Sequence, residues 1–291
     1  MLNNSGFDRF SFLNYQDISV FTQKYSGSIF VIKYGGSAMK NYNLRLKVIE
    51  DLAFLYSLGI KIILVHGGGP FINDWLVKLN IKPKFENGIR ITDYNTMEIV
   101  EMVLSGKVNK QLVSLLSKKN ILSVGLSGKD CNLITASSLF NSCNNFVGKV
   151  EKINNKLLNL LLDNNYIPVI ASIASDFENC TYNINADTVA GAISSSMNAN
   201  KLILLTDTPG VMLDMSDSST LIKTLTLNYV NELKKKKVIT GGMLPKIDCC
   251  IDGLLSSSSM SSAHIIDGRI EHSLLYELLT LDRLGSMITL S

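Results

Sequence analysis

Two short apolar runs near the start of this chain each end in consecutive glycines: IFVIKYGGS at residues 29–37 and KIILVHGGGP at residues 61–70. A β-branched run that stops at glycine describes a buried parallel strand delivering bare backbone N–H groups to an anion beyond its carboxyl end. Lys33 lies near the end of the first run, beside one glycine turn and facing the other. It is placed to meet negative charge arriving between them, and the pair reads as a phosphoryl-transfer site. The plainer alternative is that each turn only joins a strand to a helix, since isolated glycine matches are weak. Neither turn gives the G-x-G-x-x-G spacing of a dinucleotide site, and no Gly-Lys-Ser/Thr sequence stands in a strand-to-helix context, so the phosphate site is of another type.

Beyond these runs the chain alternates strands and helices. Strand-like segments fall at 30–34, 61–65, 123–126, 167–171, 201–206 and 263–266. Helical patterns fall at 43–58, 72–79, 93–119, 154–164, 188–199, 228–236 and 245–257. That alternation predicts an α/β fold, a three-layer α/β/α sandwich around a central, mainly parallel sheet. Ligands on such sheets bind beyond the carboxyl ends of the strands, where both glycine turns lie. A helix-like segment at 16–24 precedes the first core strand and reads as an appendage, and the serine-rich stretch 256–262 reads as a polar turn between helix and strand.

At 291 residues and 46% hydrophobic the chain buries a large core, as two lobes or one large sheet. No apolar run approaches the roughly 18 residues of a membrane span. A net charge of only +3 with dispersed lysines argues against a nucleic-acid surface. The run Lys234-Lys235-Lys236-Lys237 reads as a helix C-terminus, where cations oppose the dipole. The five cysteines are odd in number and lack zinc-ligand spacing, which favours a reducing compartment. The first residues show neither a signal nor a transit peptide, so the expected location is a plastid stroma for an organelle-encoded chain and otherwise a bacterial cytoplasm.

Eight segments in order, VIKYGGSAM (31–39), VHGGGP (65–70), NGIRITD (87–93), VGLSGKD (124–130), NINADTVAG (183–191), LLTDTPGV (204–211), GGMLPK (241–246) and HIIDGR (264–269), together resemble the acetylglutamate kinase group of the amino acid kinase family. The resemblance implies transfer of the γ-phosphoryl group of ATP, accompanied by Mg²⁺, to N-acetyl-L-glutamate. It implies an acyl-amino-acid-binding and dimerisation lobe at 27–199 and an ATP-binding lobe at 200–291, after the appendage at 1–26. By the same resemblance Lys33 and Lys246 neutralise the moving phosphoryl group while Asp187 holds both ammonium groups. Gly35, Gly36 and Gly67 cradle phosphate, and Gly68, Gly69, Arg90 and Asn183 bind the acid. Thr206, Asp207 and Gly210 lie near the nucleotide, and no metal ligand comes from the protein.

These residues make chemical sense on their own. Phosphoryl transfer needs positioning and charge stabilisation, which lysines and backbone N–H groups supply. An acceptor carboxylate with a pKa of about 4.3 is ionised at neutral pH, so no general base is required. That accounts for the expected absence of any histidine–carboxylate pair among only three histidines. The competing readings are structural: a solvated Lys33, a helix-start Lys246 behind Pro245, Asp187 as a helix cap, Arg90 in a surface ion pair with Glu86 or Asp93, and Asp207 as a turn residue. Arginine is the natural bidentate partner of an α-carboxylate, and Asn183 both donates and accepts.

Resemblance to the arginine-sensitive members implies that the N-terminal helix interlaces dimers into a hexamer, and its Phe21 and Tyr25, on one face, suit packing either across a subunit boundary or on their own subunit. It also implies an arginine effector and, in relatives from oxygenic phototrophs, the PII signal protein as a partner. One glycine of the effector segment is here Arg283, a departure from that pattern. The alternative function is a kinase-like scaffold that binds arginine or PII without turnover. It predicts loss of charge at the phosphoryl site, yet Lys33, Asp187 and Lys246 all stand.

Overall fold

A computed structural model describes residues 12–86, 89–140 and 144–290. Residues 1–11 of the appendage, Asn87 and Gly88 of the NGIRITD segment, and Cys143 lie outside the described residues.

The chain begins with α1 (Tyr15–Tyr25), β1 (Ile29–Tyr34), α2 (Tyr42–Ser57), β2 (Lys61–His66) and α3 (Gly69–Lys78). A hairpin of β3 (Phe85–Glu86) and β4 (Ile89–Arg90) leads into α4 (Tyr94–Glu101), which runs through a π-helical stretch, Met102–Val108, into α5 (Asn109–Ser117). There follow β5 (Ser123–Ser127), β6 (Ile134–Ser138), β7 (Val147–Ile153), α6 (Asn155–Asp163), β8 (Ile167–Ala171), β9 (Ile173–Ser175) and β10 (Thr181–Ile184). The last part comprises α7 (Ala186–Ser196), β11 (Lys201–Thr206), β12 (Thr224–Thr226), α8 (Leu227–Lys235), α9 (Leu244–Ser256), β13 (Ser262–Asp267), α10 (Ser273–Leu279) and β14 (Ser286–Thr289).

Eight strands form one sheet in the order β12-β14-β13-β11-β1-β2-β8-β5. From β13 to β5 every neighbouring pair is parallel, and β14 turns antiparallel to β13 with β12 beside it. The inner strands are apolar almost throughout because helices cover both faces. Alternation along β1 shows both layers. Phe30, Ile32 and Tyr34 join the core under α2 to α5, whereas Val31 joins the core under α6 to α9. Lys33 therefore points to the side that carries α7 and α9. From β1 the chain steps to β2 on one side and later returns as β11 on the other, so the carboxyl ends of β1 and β11 form the topological switch point of the sheet.

The sequence reading missed a second unit, a closed four-stranded ring in the order β10-β7-β6-β9. Its longer strands, β6 and β7, mix polar with apolar residues, ITASS and VGKVEKI, and β9 and β10 are only three and four residues long, so the ring lacks the apolar runs that marked the inner sheet. The short strands β3, β4, β12 and β14 were missed for the same reason. The helix expected over 93–119 forms, with the π-helical stretch in its middle. A Cβ on Gly68 would stand 2.5 Å from Leu104 Cδ2 and 3.3 Å from Val108 Cγ2, so this stretch packs directly behind the second glycine turn.

On α1, Phe21 and Tyr25 pack against Phe30 of the same chain, with ring centroids 6.1 and 5.5 Å away. The aromatic pair thus serves its own core, where a buried Phe contributes about 1.5–3 kcal/mol. Tyr15 and Val20 face outward. The lysine run does end a helix: α8 stops at Lys235 with Lys236 as its cap.

Candidate active site

Three elements converge on one carboxylate. Lys33 reaches it from β1, Asp187 stands in the first turn of α7, and Lys246 in the first turn of α9. Lys33 Nζ lies 2.9 Å from Asp187 Oδ1, and Lys246 Nζ donates to Oδ2 at 2.6 Å. The Lys33 contact is an ion pair without hydrogen-bond alignment, since Oδ1 accepts no aligned bond. α7 and α9 approach closely at Gly191, where a Cβ would come within 2.8 Å of Cys249 Cβ, and this brings their N-termini together. The helix begins at Ala186, earlier than expected, and Asn185 caps it by accepting the Asp187 N–H at 2.8 Å. The cap being supplied, the Asp187 side chain is free for the lysines.

Burial alone would raise the Asp187 pKa, but Lys33 and Lys246 outweigh it and hold the carboxyl at about 2. Two ammonium groups against one carboxylate leave a surplus positive charge at side chains only 9%, 16% and 5% exposed. Lys246 also stands at a helix N-terminus, the wrong end for a cation, a conflict that an anionic ligand relieves.

Around this triad sit the glycine turns. A Cβ on Gly35 would lie 2.5 Å from Lys33 Nζ, so the turn folds directly over the lysine. Gly36 has φ 85°, and a Cβ there would overlap the Asp207 carboxylate. Gly67 donates its N–H to Tyr34 O at 3.1 Å, so that group joins the two turns to each other and does not face a ligand. The donors of the second turn are those at the start of α3, where Gly69 is the first helical residue and lacks an intrahelical partner. Space beside Gly69 is open: nothing lies within 4 Å of where its Cβ would be.

Arg90, on β4, is 8% exposed and forms no ion pair with Glu86 or Asp93. Asp93 instead caps α4. Arg90 Nη2 donates to Asn73 Oδ1 at 2.5 Å and to Gly69 O at 3.4 Å, and the guanidinium stacks 4.7 Å over the Phe85 ring. Its Nη1 is buried and without a hydrogen-bond partner among the described residues. Burial lowers the Arg90 pKa from its ordinary value. Asn183, on β10, donates to Thr92 Oγ1 at 3.2 Å, and Thr92 donates to Arg90 O at 3.0 Å. Sequence reasoning missed Asn73 and Thr92. Thr92 follows Arg90 by two positions and Asn73 follows Gly69 by one helical turn, which is the signal that was available.

A cleft of about 820 Å³ gathers Arg90, Asn183, Asp187 and Lys246 with Thr208 and Met212 in one lining. Lys33 and the glycine turns stand outside that lining, and Lys33 is joined to it by Asp187. Of the residues expected near nucleotide, Thr206 is buried at the end of β11, and Gly210 packs so that a Cβ would meet Ser286 Oγ at 2.5 Å. Asp207 accepts the Ser37 N–H on both oxygens at 2.8 Å and the Ser37 hydroxyl at 3.0 Å. Thr208, in the same turn but not singled out from the sequence, lines the cleft and has a buried hydroxyl lacking a partner among the described residues.

Histidine–carboxylate pairs do exist, contrary to the sequence reading: His264 with Glu277 at 2.7 Å and His272 with Asp51 at 2.5 Å. None of these residues lines the cleft. Their partners are far apart in sequence or on different elements, which hid them. His66, at the end of β2, is fully buried, and burial holds its pKa down to about 4, so it is neutral near pH 7.

The model of the amino acid kinase family matches residues 28–267. An acetylglutamate kinase from Gracilaria tenuistipitata var. liui is 57% identical over 291 residues, covering 100% of both chains. Another from Nostoc punctiforme is 50% identical over 268 residues, 92% of this chain and 89% of the relative. Among solved structures, an N-acetylglutamate synthase from Neisseria gonorrhoeae superposes with a TM-score of 0.82 at 21% identity, covering 94% of this chain and 62% of that longer one. That likeness concerns the fold.

Proposed function

This chain belongs to the amino acid kinase family, and from that premise we propose that it transfers the γ-phosphoryl group of ATP to the side-chain carboxylate of N-acetyl-L-glutamate, giving N-acetyl-L-glutamyl 5-phosphate and ADP in arginine biosynthesis. The observation that carries the reading is a pair of lysines held by one buried aspartate, which shares a cleft with a buried arginine whose Nη1 has no hydrogen-bond partner among the described residues.

In this account the acid's α-carboxylate meets Arg90, with Asn183 beside it, and the open space at Gly69 admits the ligand. The side-chain carboxylate attacks the γ-phosphorus: a carboxylate oxygen–phosphorus bond forms, the bond to the β,γ-bridging oxygen breaks, and its electron pair leaves with ADP. No proton moves, because the nucleophile is already ionised. Negative charge spreading onto the phosphoryl oxygens is met by Lys33 and Lys246, and Asp187 fixes both before the substrate arrives, so little reorganisation is needed. Asp187 is engaged by two lysines and Asp207 by Ser37. Mg²⁺ would accompany ATP and supply further neutralisation of phosphate charge, with no protein ligand assigned to it.

The acid is assigned to the lobe at 27–199 and ATP to the lobe at 200–291, where Thr208 and Met212 line the cleft. A homodimer, and a hexamer formed as three dimers through the outer face of α1, is the proposed assembly. Arginine and PII are the proposed effectors, with Arg283 as the departure in the first case. A plastid stroma or bacterial cytoplasm is the proposed location, and no helix among the described residues is long and apolar enough to cross a membrane.

A hydroxamate trap tests the reaction directly. With ATP and Mg²⁺ the protein is expected to yield hydroxamate from N-acetyl-L-glutamate and little from glutamate or aspartate. The reverse preference overturns the assignment.

A further inference from the structure

We propose that Asp207 is a positioning residue that clamps the first glycine turn from the neighbouring strand. The proposal rests on the reading of that turn as the phosphoryl cradle.

Three observations support it. First, β1 and β11 run parallel with Tyr34 opposite Leu205, which sets Asp207 level with Gly36 just beyond both strand ends. Second, the contact is two-pronged, because both carboxylate oxygens accept the Ser37 N–H at 2.8 Å and Oδ1 also accepts its hydroxyl at 3.0 Å. Ser37 opens a short 3-10 turn, Ser37–Met39, whose N-cap Gly36 offers no side chain. Asp207 thus acts as the missing cap, delivered from another strand. Third, the turn has been shaped around this carboxylate. Gly36 adopts φ 85°, and any Cβ there would overlap Asp207.

The consequence for catalysis follows from where the turn lies. Its other glycine sits over Lys33, with room for no side chain between them. A turn released by Asp207 would shift against Lys33 Nζ, and displacements near 1 Å in a catalytic constellation cost on the order of 10²-fold in rate. Asp207 is a neighbour of Thr208, which lines the cleft, so the clamp also joins the nucleotide side to the phosphoryl lysine. The Arg90 end is held separately by Asn73 and Thr92.

Steady-state kinetics of three variants test the clamp. D207A is expected to lower kcat about 10- to 100-fold, with the KM for N-acetyl-L-glutamate unchanged. D207N keeps one oxygen to accept the Ser37 N–H and is expected to recover kcat to within about fivefold of wild type. G36A puts a methyl group where the carboxylate lies, so D207A/G36A should lose less than the product of the single losses. A merely structural Asp207 would not produce the split between kcat and KM together with rescue by Asn. An unimpaired kcat in D207A, a D207N as weak as D207A, or fully multiplicative losses each overturn the clamp. If D207A does not fold, an unchanged kcat in G36A overturns it as well. Wild-type protein that forms no hydroxamate sinks the reading of the site, whereas an active wild type with an unimpaired D207A sinks the clamp alone.

Discussion

Replacing Asp187 by Asn should disarm the site while leaving its shape. The amide is nearly isosteric but carries no charge, so the ammonium groups that the carboxylate holds at 2.9 and 2.6 Å lose their counterion. Breaking a buried pair by removing one partner costs about 3–5 kcal/mol, because the remaining charge is left uncompensated. The same pairing lowers the carboxyl pKa from 3.8 to about 2, because Lys33 and Lys246 outweigh the effect of burial. At about 1.4 kcal/mol per unit, this corresponds to on the order of 2 kcal/mol of stability. Since the folded pKa is depressed, that contribution is present above pH 4 and is lost as pH falls toward 2. Acid unfolding of the wild type should therefore carry a component in this window that D187N lacks. In the hydroxamate assay, run well below the melting temperature of the variant, kcat should drop about 10²- to 10³-fold, the scale for loss of a preorganised electrostatic group. A D187N enzyme within threefold of wild type would refute the argument that the carboxylate organises the two lysines.

R90K should raise the KM for N-acetyl-L-glutamate about 10- to 100-fold with a small change in kcat, since an ammonium lacks the planar fork by which one guanidinium nitrogen holds Asn73 while the other is presented to a carboxylate. Unchanged kinetics would remove Arg90 from the acid site. Deleting residues 1–26 removes α1 and should reduce a hexamer to dimers by light scattering. An unchanged mass would mean that the helix is not the interlock.

The parts of the fold legible in the sequence are those whose burial is two-sided. IFVIKY and KLILLT are apolar at nearly every position because they lie between helix layers, and the parallel sheet could be read from them. The ring of β6, β7, β9 and β10 could not, since it closes through the β7–β10 and β6–β9 pairings, distant in sequence, and its longer strands β6 and β7 mix polar with apolar residues. Lys33 was legible because glycines flank it. Its meeting with Asp187 and Lys246 was legible only through the family resemblance, as nothing in local sequence says that α7 and α9 approach at Gly191. Asp207 shows the opposite limit. It has the sequence of a turn residue, and only the β1–β11 register shows that its carboxylate serves a backbone N–H in a turn distant in the chain.

A structure of the protein with ADP, N-acetyl-L-glutamate and an aluminium fluoride phosphoryl mimic tests the central claim most directly. The account predicts the mimic within hydrogen-bond distance of both Lys33 Nζ and Lys246 Nζ, with the α-carboxylate of the acid on Arg90 Nη1. A mimic touching neither lysine, or an acid bound away from Arg90, would contradict it.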